Sequence, residues 1–323
     1  MARFQATTIG EGKLRYCVPA GVRLEDAENF NISITGTEGN VMALLSRLGH
    51  QTGWASQLPD SPLGRRVARD FKTAEVDIST VKWLSHEAAR LGIYYVEYAH
   101  PPRSTQVYYD RKRSCFTEIT PADVDWDYLL DTRLLHLSGL TVPLSDTVQA
   151  TLFEAQNRAR AAGVPVSFDV NYRSRLWSPE AAAAGMRPFL DAANIIFMAA
   201  RDAETLFGLA GDNESRLKQI SEMFSADYVA MSMGSEGIMG FDRQKDRVAF
   251  APARKVIIED RIGAGDASVA GVLHGWLQGD FAKGLRYATV TAGLALSQFG
   301  DHTITNAQEV EELLDAVGGD IVR

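Results

Sequence analysis

The chain has 323 residues, with 33 Lys and Arg against 41 Asp and Glu, a formal charge of −8, 46% hydrophobic and 23% charged residues. That is enough chain, of ordinary globular composition, for one large domain with or without a small accessory. Only Cys17 and Cys115 are present, which excludes a disulfide-stapled fold and argues for a reducing compartment. The acidic balance speaks against non-specific binding to nucleic acid or anionic lipid, since both need a positive surface, so an anionic ligand requires a local positive site.

The amino terminus has no extended apolar segment with a cleavage site, and no apolar run approaches the roughly 18 residues of a membrane span. A cytoplasmic protein with no membrane partner is therefore expected. Residues 12 to 35 are read as antiparallel strands outside the main sheet. From about residue 40 onward, β-branched and aromatic runs alternate with helical stretches, the pattern of a mainly parallel sheet with helices on both faces. Residues 93 to 120 interrupt it with Ile93-Tyr-Tyr-Val-Glu-Tyr98, a Pro101-Pro102 turn and Gln106-Val-Tyr-Tyr-Asp110, a hairpin that joins the first irregular stretch in a small sheet. Strands follow at 133 to 137, 164 to 169, 194 to 198 and 227 to 232, and a helix runs from Asp146 to Ala162, ending before Gly163 and Pro165. The division expected is a core of 1–11, 36–92 and 121–323 carrying a discontinuous β lid of 12–35 and 93–120, over the strand ends where open α/β sheets hold ligands.

P-loop, dinucleotide and lipase-type glycine signatures are all absent, and the six histidines are too scattered for a zinc pair. One segment carries chemistry. Asp260-Arg-Ile-Gly263-Ala264-Gly265-Asp266 precedes a helix whose Val269, Val272, Leu273, Trp276 and Leu277 form a core-facing stripe. Unpaired backbone N–H groups and the positive end of the helix dipole meet there, which makes an anion hole. A carboxylate beside bound phosphate repels it unless Asp266 takes the proton from an attacking hydroxyl. An N-capping Asp after a Gly-rich turn is the plainer alternative.

This segment resembles the second signature of the ribokinase-like, phosphofructokinase-B type sugar kinases, with Arg261 where Thr is usual, a form similar to that of 2-keto-3-deoxygluconate kinases. Two further motifs carry the resemblance: Thr35-Gly36-Thr37-Glu38-Gly39-Asn40 is similar to the family's sugar-binding element, and Asp169-Val-Asn171-Tyr172-Arg173 to a segment of the 2-keto-3-deoxygluconate kinase branch. The resemblance implies a three-layer α/β/α core with a β lid and transfer of a phosphoryl group from ATP, with Mg²⁺ and in some members a monovalent cation. It implies Asp266 as base and the Gly263, Ala264 and Gly265 backbone as anion hole. It further implies Gly36, Asn40, Tyr94, Tyr108 and Arg173 around a small sugar or sugar acid, with Ser232, Gly234, Gly237, Gly263 and Gly265 bordering the nucleotide. A homodimer or higher even assembly is also implied. Alternatives remain: a helix cap for Asn40, a salt bridge for Arg173, lid packing for the tyrosines and a plain turn at Gly234.

Two positions depart from the family pattern. Strand alternation puts Asp110 on the face of Tyr108 and turns Arg111 away, which disfavours a substrate carboxylate unless a slip or bulge intervenes. Ala200 stands where an Asn helps order the magnesium shell, leaving Asp202 and Glu204 as weak candidates. The expectation is a kinase of 2-keto-3-deoxygluconate. A kinase of a neutral sugar or nucleoside, and a noncatalytic sugar-binding protein on the same scaffold, are the alternatives.

Overall fold

The structure, a computed structural model, describes residues 2–315; the last residues of the expected core, 316–323, lie outside these. Fourteen strands are present among the described residues. In chain order they are β1 (Ala6–Ile9), β2 (Lys13–Val18), β3 (Asn31–Thr35), β4 (Thr52–Ala55), β5 (Gln57–Pro59), β6 (Lys82–Leu84), β7 (Gly92–Glu97), β8 (Gln106–Asp110), β9 (Leu135–Ser138), β10 (Val166–Asp169), β11 (Ile195–Ala199), β12 (Tyr228–Ser232), β13 (Gly237–Asp242) and β14 (Arg247–Pro252). The α-helices are α1 (Thr37–Arg47), α2 (Pro62–Thr73), α3 (Trp126–Leu130), α4 (Asp146–Ala161), α5 (Pro179–Leu190), α6 (Ala200–Phe207), α7 (Asn213–Phe224), α8 (Ala264–Leu277), α9 (Phe281–Leu296) and α10 (Ala307–Asp315).

The main sheet has the order β14-β13-β12-β11-β10-β9-β1-β4. Its six strands from β12 to β4 are parallel, and β13 and β14 close one edge antiparallel. Short strands such as Ile195-Ile-Phe-Met198 are apolar on both faces because helices cover both. One core layer packs α1, α2 and α8 to α10 on the sheet, and the other packs α3 to α7. Helix ends follow local sequence. The Ser145 hydroxyl accepts from Val148 N–H to open α4, and Ser178 does the same for α5 ahead of Pro179. No described helix is long and apolar enough to cross a membrane.

The two irregular stretches meet in a separate sheet of order β3-β2-β7-β8. Its outer pairs are antiparallel, but β2 and β7 run parallel, so the expectation of antiparallel strands holds only within each stretch. Residues beyond 110 leave this sheet, with a 3-10 turn at Cys115–Glu118.

Register decides what the small sheet presents. Arg15 pairs Tyr94, and Tyr94 pairs Tyr109, so these three share one face; Tyr16, Tyr95 and Tyr108 share the other. On that second face the rings of Tyr16, Phe30 and Tyr95 lie 5.5 to 6.0 Å apart.

Candidate active site

A cavity of about 410 Å³ lies between the small sheet and the carboxyl ends of the main strands, where the parallel topology leaves strand-to-helix loops free to converge. Its floor is the start of α8. Gly263 caps that helix in the left-handed region at φ 90°, and a Cβ there would lie 2.7 Å from the Asp301 carbonyl oxygen, so the turn needs glycine twice over. The first-turn amides that follow have no acceptor within the helix.

Asp266, in that first turn, is buried and lines the cavity. Its Oδ2 accepts from Asn40 Nδ2 at 2.6 Å, and Thr37 Oγ1 lies 3.4 Å from Oδ1. Burial pushes the carboxyl up to about 6; the Asn40 hydrogen bond and the Arg173 and Lys13 charges oppose that rise, while Asp301 adds to it. Asp169, at the end of β10, also faces the cavity, and burial followed by the Asp266 charge pushes it up to about 8. Burial also raises Asp202, whose carboxylate lies 3.5 Å from Arg201. Glu38 accepts from Thr141, and burial pushes it up to about 7, with the Asp266 charge adding to the rise.

Part of the cavity wall is cationic. Lys13 and Arg111 are both buried and both line the cavity, and Arg111 Nε has no hydrogen-bond partner. Arg173, Arg201 and Arg261 add three further guanidinium groups on the wall. Beneath the small sheet, Arg15 reaches Asp260 Oδ2 at 2.5 Å and Asp301 Oδ1 at 2.6 Å, and Asp301 also accepts from Thr35 and, at 2.9 Å, from the Tyr94 hydroxyl. This buried network ties the small sheet to the glycine turn.

Of the residues singled out from sequence, Asp266, Gly263, Gly265, Tyr94, Arg173, Ser232 and Asp202 stand on the cavity wall. Asn40 stands behind the wall and touches Asp266. Gly36 packs on Glu11, whose carbonyl oxygen would lie 2.5 Å from a Cβ at that position. Ala264, Gly234 and Gly237 are off the wall; the two glycines turn the chain from β12 into β13 at φ 60° and 130°. Glu204 is remote, pairing with Arg216 at 3.5 Å.

The small-sheet register corrects the reading of β8. Tyr108 is 49% exposed and off the wall, and Asp110 pairs Arg90 at 2.6 Å outside the cavity. Tyr109 and Arg111 are the residues that face inward. Alternation groups Tyr108 with Asp110 as expected, but that face is the outer one, so Arg111 reaches the site with no slip or bulge. Sequence reasoning also passed over Lys13, Glu11, Asp169 as a cavity acid, and Asp301. The pairing of Lys13 with Arg15 at strand spacing was a usable signal; Asp301, beyond α9, offered none.

A buried carboxylate at a glycine-lined helix start, on this fold, defines a phosphotransferase acting on an alcohol group. The chain belongs to the pfkB family of carbohydrate kinases, which matches residues 11–308. It is 34% identical over 317 residues, 98% of each chain, to the 2-dehydro-3-deoxygalactonokinase of Haloferax volcanii. The solved 2-dehydro-3-deoxygluconokinase of Thermotoga maritima superposes with a TM-score of 0.91 at 28% identity, covering 97% of this chain and all of that one. A ribokinase-type structure from E. coli in complex with ATP and Mg²⁺ covers 96% of this chain and 99% of that one with a TM-score of 0.87 at 19% identity, a likeness of fold alone. The protein is thus a sugar kinase with a ribokinase-like fold, and the noncatalytic alternative falls.

Proposed function

We propose that this kinase transfers the γ-phosphoryl group of ATP to the primary alcohol of a 2-keto-3-deoxy sugar acid, the gluconate or its galacto epimer. The observation that carries the reading is that buried Asp266 at the helix start shares one cavity with buried Arg111 and Lys13. An acid seated with its carboxylate on the cationic wall pairs with the Arg111 guanidinium and turns its far hydroxyl toward Asp266. Arg111 and Lys13 share the single carboxylate of Glu11, so one positive charge is left over for an anionic acceptor, which a neutral sugar does not balance. The argument for a neutral substrate rested on Asp110, which points away.

In the proposed step Asp266 accepts the proton of the attacking hydroxyl. That oxygen bonds to the γ-phosphorus as the bridging bond breaks, and ADP leaves. With its carboxyl near 6, Asp266 is mostly ionised at neutral pH and basic enough to take the proton. The backbone N–H groups from Gly263 to Gly265 stabilise charge on the transferring group, and Arg173 neutralises the acids on either side of it. The cavity fits ATP with Mg²⁺ in one respect of its own: Asp202 is a buried carboxylate on the wall whose arginine neighbour stands no closer than 3.5 Å, with the Tyr172 backbone and the Arg173 charge beside it, and we assign it to the water shell of the ion. Bound there, Mg²⁺ supplies charge neutralisation to the phosphates. Glu204 has no part in it. The kinase is assigned to the cytoplasm, where ATP is held.

The test is ADP formation at fixed Mg²⁺ across 2-keto-3-deoxygluconate, its galacto epimer, ribose, fructose and adenosine. Turnover on the keto-deoxy acids is expected, and turnover on a neutral sugar alone refutes the acid assignment. Asp266→Asn is expected to lower kcat by about 10²–10⁴; a loss under about tenfold rules out the base role. The aromatic outer face of the small sheet, with Tyr108 half exposed, supports a homodimer or higher even assembly, read by light scattering on the purified protein.

A further inference from the structure

Glu11 lies just past β1, at the carboxyl end of a central strand, and is 1% exposed. Three elements converge on it. Arg111, from the end of β8, donates to Oε2; Ser114 Oγ, in the following turn, donates to Oε1 at 2.5 Å; and Lys13 Nζ of β2 stands 3.7 Å from Oε2. Glycines make the space: a Cβ at Gly92 would lie 2.6 Å from Oε1, and one at Gly36 would strike the Glu11 carbonyl. Burial would raise this carboxyl, but the Arg111 and Lys13 charges and the Ser114 bond outweigh it and hold Glu11 below the ordinary range. Glu11 is therefore an ionised acid inside the protein, and it does not line the cavity itself.

Arg111 is 7% exposed and does line the cavity. Glu11 engages Nη2 of its guanidinium; Nε is buried without a partner, and Nη1 donates to no group among the described residues. A guanidinium offers two neighbouring donors to a carboxylate only if something fixes its plane. Buried ion pairs add little net stability against apolar packing of the same volume, so stability alone is a weak account of an acid set in this place.

We propose that Glu11 is the positioning residue that gives this kinase its preference for an anionic acceptor, by holding Arg111 with its free edge turned to a carboxylate of the sugar. The proposal rests on the sugar-acid reading above. Glu11 touches neither the phosphoryl group nor Asp266, so its loss bears on acceptor binding and leaves the chemical step alone.

The experiment measures kcat and KM of wild type, Glu11→Gln and Ser114→Ala with 2-keto-3-deoxygluconate and with its neutral amide. Glu11→Gln is expected to raise KM for the acid about tenfold or more, with kcat within about threefold and KM for ATP unchanged, so that the acid-to-amide ratio of kcat/KM falls about tenfold. Ser114→Ala, which keeps the charge and removes one tie, shifts the ratio in the same direction by less. Equal losses on acid and amide, or an unchanged ratio in both variants of an acid-preferring wild type, overturn the proposal alone. If Glu11→Gln does not fold, as judged by its melting curve, an unchanged ratio in Ser114→Ala overturns it. A wild type that prefers the amide overturns the sugar-acid reading and this proposal together.

Discussion

Asn40 Nδ2 donates to Asp266 Oδ2 at 2.6 Å, joining α1, the helix that follows β3, to the acid at the start of α8. The bond stabilises the ionised carboxylate and opposes the rise that burial imposes. It therefore tunes the acid as well as aiming it.

The pH–rate profile reads this directly. The acid limb of kcat/KM is expected near pH 6, where Asp266 ionises. Asn40→Ala removes a bond that favours the ionised form, so the limb moves to higher pH. A limb that stays in place, with loss only in the plateau, assigns Asn40 to packing.

Arg111→Ala takes away a buried charged donor on the cationic wall. KM for the sugar acid is expected to rise by about 10- to 100-fold, the size of a lost hydrogen bond to a charged group. Steady-state kinetics check this, with the neutral amide as the reference substrate that should be little affected.

Gly263→Ala sets a side chain at φ 90° and 2.7 Å from the Asp301 carbonyl oxygen. The turn then has to shift, and the helix amides shift with it. A fall in kcat of about 10²-fold or more is expected, comparable to the loss of one donor from an oxyanion hole, together with a lower melting temperature by calorimetry.

His50 Nε2 and His274 Nδ1 lie 2.8 Å apart, and burial pushes both imidazoles down to about 4. The unfolded chain takes up these protons near 6.5. The unfolded state therefore binds more protons between pH 6.5 and 4, and the stability this pair contributes is full above pH 6.5 and lost as pH falls toward 4. The site acids Asp169, Glu38 and Asp266, all raised, tilt the curve the other way, so the quantity to measure is a difference. Urea unfolding of wild type and His274→Gln is expected to show wild type losing stability relative to the variant by up to about 1.4 kcal/mol per pH unit between pH 6.5 and 4, the share of the one histidine removed. Parallel curves exclude the pair as a titrating element.

The residues legible in sequence are those whose chemistry is local. The Gly263 turn and Asp266 declare themselves by standing together before an amphipathic helix, and the strands ending at Asp169 and Ser232 follow from short apolar runs between capped helices. The face of β8 was not legible. Alternation says that Tyr108 and Asp110 go together and that Tyr109 and Arg111 go together, but which pair looks inward depends on the pairing of Tyr109 with Tyr94 across the sheet. Asp301 and Arg15 were hidden for a related reason. Each is an unremarkable charge in its own segment, and they become a network only when β2 is laid over the loop beyond α9. Asn40, expected beside the sugar, gives its Nδ2 to Asp266, and its Oδ1 has no protein partner.

The small sheet is stitched from two distant stretches by a parallel pair, Lys13 beside Gly92 through Val18 beside Glu97. Neither hairpin owns that seam, so neither stretch can be excised or transplanted as a self-standing module. The intervening chain, with α1, β4 and α2, must find its place before the seam can close. The cationic wall inherits that dependence: Lys13 comes from one stretch and Arg111 follows the other, so the two meet at the cavity only when the seam is closed.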